Sequence, residues 1–187
     1  MKCFVIIYFA VVVTSFSQQK FEKEYKIKLN EVPLKAKSFI NKCDFDARIK
    51  WYAEESQDGK TIEAKFCKDR HVYSIEFDEK GNLLDVERKI KWRELAVKRQ
   101  QAIKKTLNNH FKKYKIKKIQ EQWLTEQESC IGLAKENLNS REKVLYEIVI
   151  KGKKNATTEL FEILMTGDGT LIKELEFAPQ NNDNLEF

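Results

Sequence analysis

The side chains that could do chemistry in this 187-residue chain are two histidines, four cysteines and many carboxylates. His71 and His110 stand far apart, and no CxxC or cysteine–histidine cluster accompanies them, so no zinc site is expected. His71 precedes a strand and reads as a solvated turn residue. No GxSxG, HExxH or phosphate-binding glycine loop occurs. Glu63, Glu76 and Glu87 fall at alternating positions that point outward on strands. Asp78-Glu79 and Asp168-Gly169 do not fit an EF-hand loop and read as turn chemistry. Neither catalysis nor a metal or cofactor is therefore expected, and recognition is the chemistry to look for.

Candidate recognition residues are few. Trp51 and Trp123 are read as core residues between helix and sheet, or else as exposed binding anchors. Tyr52 follows Trp51 on a strand and must point to the opposite face. With Val72 it would mark an open sheet face able to dock a protein or peptide. Lys112, Lys113 and Lys115 belong to a stretch, 104–118, that holds seven lysines and no acid. That stretch reads as a solvated face or as a patch for an acidic partner, anionic lipid or polysaccharide.

These residues must be positioned by short, regular elements. Residues 72–90 are the clearest, with Tyr73, Ile75 and Phe77 alternating, a turn around Gly81, and Leu84 and Val86 resuming the period of two. The same device recurs at Phe161, Ile163, Met165 and Gly169. Pro33 starts a helix over about 33–43, with a stripe at Ala36, Phe39, Ile40 and Cys43. Strands follow at Ala47–Trp51 and Ile62–Phe66 around Asp58-Gly59. A longer helix is expected over about 93–112, then a strand over 114–124. A loop follows over 125–142, and strands near 144–150, 157–165 and 170–177 complete the chain. Residues 18–30 form an edge strand or a lead-in.

Phe39 and Phe111 each precede a tryptophan, Trp51 and Trp123, by the same twelve residues. The spacing predicts a duplication and an α+β fold of two tandem units, each one helix packed on an antiparallel four-stranded sheet. The units span 18–91 and 92–178, ahead of a polar tail at 179–187. Residues 1–17 carry Lys2, an apolar run and Ser15-Phe16-Ser17, the pattern of a cleaved signal peptide. Export to the periplasm or the exterior follows, with no membrane anchor after cleavage. Cys43, Cys67 and Cys130 then remain, an odd number whose pairing the spacing does not decide. The net charge of +6 sits on a chain with 34% charged residues of nearly balanced sign, which does not point to nucleic acid.

The Val32-Pro33 helix start, the Ala47, Ile49, Trp51 run and the FDEKGNLL turn at Phe77–Leu84 resemble the PepSY-like family of bacterial exported proteins. That family is also described as β-lactamase-inhibitor-like. The likeness extends through Trp123 and GDGTLIKELEF to nearly all of the mature chain. It implies a periplasmic or secreted binding or inhibitor-like module without enzymatic activity, recognising an envelope or secreted protein through an open sheet face. The alternative reading is an anionic glycan or lipid held by the 104–118 stretch in a groove between the units.

Overall fold

The structure, a computed structural model, describes residues 19–123, 144–154 and 156–178. The expected signal segment, the 125–142 loop with Cys130, and the polar tail lie outside these residues. Strands dominate. β1 (Gln19–Lys20) and β2 (Glu22–Lys26) lead into a 3-10 turn (Leu29–Glu31) and α1 (Leu34–Cys43). β3 (Lys50–Ser56), β4 (Gly59–Lys68), β5 (His71–Asp78) and β6 (Leu83–Lys89) follow. A second 3-10 turn (Trp92–Glu94) and α2 (Val97–His110) precede β7 (Lys113–Trp123), β8 (Val144–Lys153), β9 (Thr158–Thr166) and β10 (Leu171–Phe177).

The expectation of two units, each with its own four-stranded sheet, is overturned. All ten strands form one sheet in the order β1-β10-β9-β8-β7-β6-β5-β4-β3-β2. The halves are joined where β6 pairs antiparallel with β7, from Val86↔Trp123 to Lys89↔Gln120. A separate second unit would leave both strands as unpaired edges, whose free N–H and C=O groups are costly unless covered. Pairing removes both edges at once.

The N-terminal strap does the same at the two remaining edges. β1 pairs parallel with β10 at Gln19↔Glu176 and Lys20↔Phe177. Two residues later β2 pairs antiparallel with β3, from Glu22↔Ser56 to Lys26↔Tyr52. Residues that are consecutive in sequence thus hold opposite ends of the sheet, which rolls into a nearly closed, barrel-like shape. Closing a sheet abolishes its edges.

The outer face carries the helices and two apolar clusters. In the first, Ala36, Phe39 and Ile40 of α1 pack on Trp51, Ile62, Phe66, Ile75, Phe77 and Val86, and Phe39 meets Phe77 edge-on at 5.5 Å between ring centroids. In the second, Ile103 and Leu107 of α2 pack on Ile119, Ile148, Ile150, Phe161, Ile163 and Met165. These are the residues of the sequence alternation, every second position on each strand. The matched spacing of Phe39 and Phe111 does not become matched placement, however. Phe39 lies in the middle of α1, whereas Phe111 is the residue that caps α2.

Gly81 and Gly169 do occupy corresponding turns. Their φ angles are +80° and +87°, and a Cβ would stand 2.8 Å from Ala36 N in α1 or Ala102 O in α2. Each turn therefore lets its helix lie directly on the hairpin. Gly81→Ala should cost about 2 kcal/mol or more, from left-handed strain and backbone collision together. Chemical denaturation would measure it, and a loss below half that value would mean the helix can shift away.

The cysteines divide by burial. Cys43, the last residue of α1, is buried on its packed face and its thiol is pushed up to about 11 by burial, whereas Cys67 is exposed, and both are free. Alkylation of the native protein should label Cys67 rapidly and Cys43 only after unfolding. Site-resolved mass mapping would check this, and labelling of both at equal rates would contradict the packing.

Candidate functional site

Alternation along a strand sends each outward residue's neighbours inward. Because the sheet rolls, the face away from the helices becomes the wall of a cleft of about 630 Å³ to which every one of the ten strands contributes. Ten carboxyl groups line it against five lysines, a formal excess of five acids in a chain whose net charge is +6.

The geometry follows from register. Glu63 stands opposite Glu76 across β4–β5, and Glu76 opposite Asp85 across β5–β6. Glu24 stands opposite Glu54 across β2–β3. Like charges directly opposed on a sheet repel. Three lysines counter part of this. The Lys20 ammonium lies 2.8 Å from Glu22 Oε2 and also bonds Glu162. Lys65 Nζ is 3.0 Å from Glu63 Oε2 and bonds Glu24 as well. Lys118 Nζ is 3.2 Å from Glu147 Oε1. Among the described residues Glu54, Glu76, Asp85 and Glu87 form no ion pair.

Two glutamines reach across to the remaining acids. Gln122 Nε2 donates to Asp85 Oδ2 at 2.9 Å, and Gln120 Nε2 donates to Glu87. Their other atoms, Gln120 Oε1 and Gln122 Oε1, are buried with no hydrogen-bond partner among the described residues, and Gln120 is only 8% exposed.

Protonation follows from burial and charge. Burial, and then neighbouring Glu22, lifts the Glu54 carboxyl to about 9. Burial raises Glu63 to about 7 although Lys65 opposes it, and it raises Glu162 to about 7, helped by Glu147 and opposed by Lys20. Asp85, Glu76 and Glu87 are raised as well, by burial first. Burial works against charge on Lys20, Lys65 and Lys118 too, yet the carboxylates beside them prevail and all three are raised. For Glu22, burial is outweighed by Lys20, and its carboxyl is lowered.

The residues singled out from sequence are scattered. Trp51 and Trp123 are 7% and 3% exposed and both pack in the first apolar cluster, so neither is an exposed anchor. Tyr52 points to the cleft side, with the Lys65 ammonium 5.1 Å from its ring centroid. Val72, 43% exposed, lines the cleft. Lys112, Lys113 and Lys115 are exposed and lie beyond the cleft, where Lys113 faces Lys153 and Lys115 faces Lys151 across β7–β8. His71 is held by Glu94 at 3.2 Å and His110 lies 3.7 Å from Glu174. No group of three or more ligating side chains suited to a metal occurs among the described residues.

The sheet face expected to be open is instead rolled inward. Glu63, Glu76 and Glu87 do not lie on a solvated surface but on the inner wall of the rolled sheet. The one signal in the sequence was that almost every strand carries an acid or amide at an inward position: Glu54, Glu63, Glu76, Asp85, Gln120, Glu147 and Glu162.

No protein-family model matches the chain, and no curated protein matches it. Solved structures share its fold. A DUF2874 family protein from Bacteroides ovatus is 14% identical over 78% of this chain and 87% of that one, with a TM-score of 0.53. A DUF2874 family protein from Bacteroides uniformis is 13% identical over 78% and 89%, with a TM-score of 0.52. A BLIP-like protein from Bacteroides fragilis is 14% identical over 83% and 92%, with a TM-score of 0.50. The fold is BLIP-like, in keeping with the inhibitor-like half of the resemblance, while the PepSY name finds no matching family model.

Proposed function

We propose that this protein is an exported, non-enzymatic binding module that takes its ligand on the concave, carboxylate-lined face of the rolled sheet. The observation that carries the reading is the cleft itself. A polar interior of like charges is expensive to maintain, and a fold retains such a surface where recognition uses it. Export is supported by the N-terminal segment and by a structural neighbour from Bacteroides eggerthii, 15% identical with a TM-score of 0.50, provisionally described as periplasmic. No helix among the described residues is long and apolar enough to cross a membrane. Glu63 and Glu162, both held near neutrality, are the groups that catalysis would use, but each is already bonded to a lysine. That arrangement favours a structural network over a free acid and base.

A binding partner from the cell envelope, protein or peptide, is the first ligand to seek. Cross-linking the immobilised chain to envelope fractions should give contacts at Tyr52 and Val72 and lose the partner in Tyr52→Ala. Retention by that variant, with contacts on the helices instead, would overturn the reading. A second reading rests on the facing lysine pairs at Lys113, Lys115, Lys151 and Lys153. Like charges held opposite one another suit an anionic glycan or lipid surface. Binding to anionic vesicles that vanishes in Lys113→Glu/Lys115→Glu, with partner capture intact, would support it.

A further inference from the structure

We infer that the cleft binds a small organic polyamine, a flexible chain bearing several ammonium groups. This rests on the proposed use of the concave face and names the ligand chemistry it fits. Two independent features point the same way. The first is charge: opposed carboxylates at Glu63, Glu76 and Asp85 form a run across three strands, and Glu76 and Asp85 have no cation of their own. The second is hydrogen bonding. Gln120 Oε1, on a side chain more than nine-tenths buried and lining the cleft, is an acceptor with no donor among the described residues, and Gln122 Oε1, on a half-buried residue, likewise has none. Acceptors in surplus call for a ligand rich in N–H donors, and an alkylammonium supplies three per primary amine.

The protein's own side chains show what the wall accommodates. Lys20 and Lys65 each place an ammonium on a four-carbon stem between two carboxylates, Glu22 and Glu162 in one case and Glu24 and Glu63 in the other. A polyamine offers the same unit untethered. The cleft's volume of about 630 Å³ lies within the usual range for small-ligand sites, roughly 300–1,000 Å³. Leu84, Leu164 and Leu175 among its lining residues provide apolar surface for the methylene segments. A metal ion fits less well, since the described acids form no ligating cluster.

The test is titration calorimetry of the full chain with spermidine at near-neutral pH and about 0.15 M salt, where exposed charges are screened. Saturable one-to-one binding is expected, with proton release visible as heats that depend on the buffer's ionisation enthalpy. Glu76→Gln/Asp85→Asn removes two unpaired acids and should weaken spermidine about tenfold or more. That variant relieves repulsion, so it is expected to fold, and its melting curve confirms this. Glu79→Gln, on an exposed turn residue outside the cleft, should bind as the parent does. Weak, unsaturable heats equal in parent and cleft variant would overturn the inference. So would magnesium chloride competing at equal charge concentration, or saturable binding of a lysine-containing peptide but not of spermidine. The last result would leave the concave-face reading standing while removing the polyamine. Partner cross-links confined to the helices would remove both.

Discussion

Lys20→Met should destabilise the fold by about 3–5 kcal/mol near pH 7.5, the usual range for breaking a buried ion pair by deleting one partner. Lys20 belongs to β1, Glu22 to β2 and Glu162 to β9, so one ammonium pairs the two strands of the closing strap with each other and ties the strap to β9. Methionine keeps most of the stem's packing, so the loss isolates the charge. Glu162 and Glu22 would then lose the cation bonded to both, keeping only the weaker field of Lys118. Because protonation relieves that deficit, the loss should shrink markedly near pH 5. Urea denaturation at the two pH values would measure both numbers. An equal loss at each would mean that Lys20 acts by packing alone and that the strap does not depend on charge.

The unsubstituted protein should itself be most stable in mild acid, which is unusual for a basic chain. Glu63 and Glu162 rise from an ordinary 4.5 to about 7, and Glu54 to about 9. A carboxyl whose folded-state pKa exceeds its unfolded value binds more protons when folded. Its contribution is therefore complete below about pH 4.5 and is lost as pH climbs through the folded pKa. Glu22, which is lowered, works in the opposite direction and gains as pH rises. With about 1.4 kcal/mol per pKa unit, Glu63 alone carries a change of about 3 kcal/mol between pH 4.5 and 8. Melting temperature should fall steadily from pH 5 to pH 9, and Glu54→Gln should flatten the upper part of the slope. A profile that rises to neutrality and stays level would show that the cleft is hydrated enough to leave its acids ordinary.

Much of the local structure was legible because it rests on short-range rules. Alternation at Ile62, Ala64 and Phe66, at Ile75 and Phe77, and at Ile148 and Ile150 marks strands with one apolar face, and all of these residues are buried. Gly81 and Gly169 announce turns that only a positive φ can make. What sequence does not carry is which edges meet. The pairing of β6 with β7 and of β1 with β10 joins segments distant along the chain, and no local period records it. That one omission changes the fold class, from two α+β units to a single rolled sheet. It changes the site as well. Glu63 and Glu76 alternate as solvated residues do, and only closure by residues 19–26 turns their face into an interior. Trp51, by contrast, is buried whichever way the halves associate, and its core reading needed no topology.

The account's central claim is that closure of the sheet encloses a wall of carboxylates that share too little positive charge. Carbon-13 NMR titration of the side-chain carboxyls, assigned through Glu54, Glu63 and Glu162, tests it most directly. Glu63 and Glu162 are predicted to titrate near 7 and Glu54 near 9, well above the ordinary carboxyl value of 4.5. Titration of all three at the ordinary value would mean that the face is open to water and that no such interior exists.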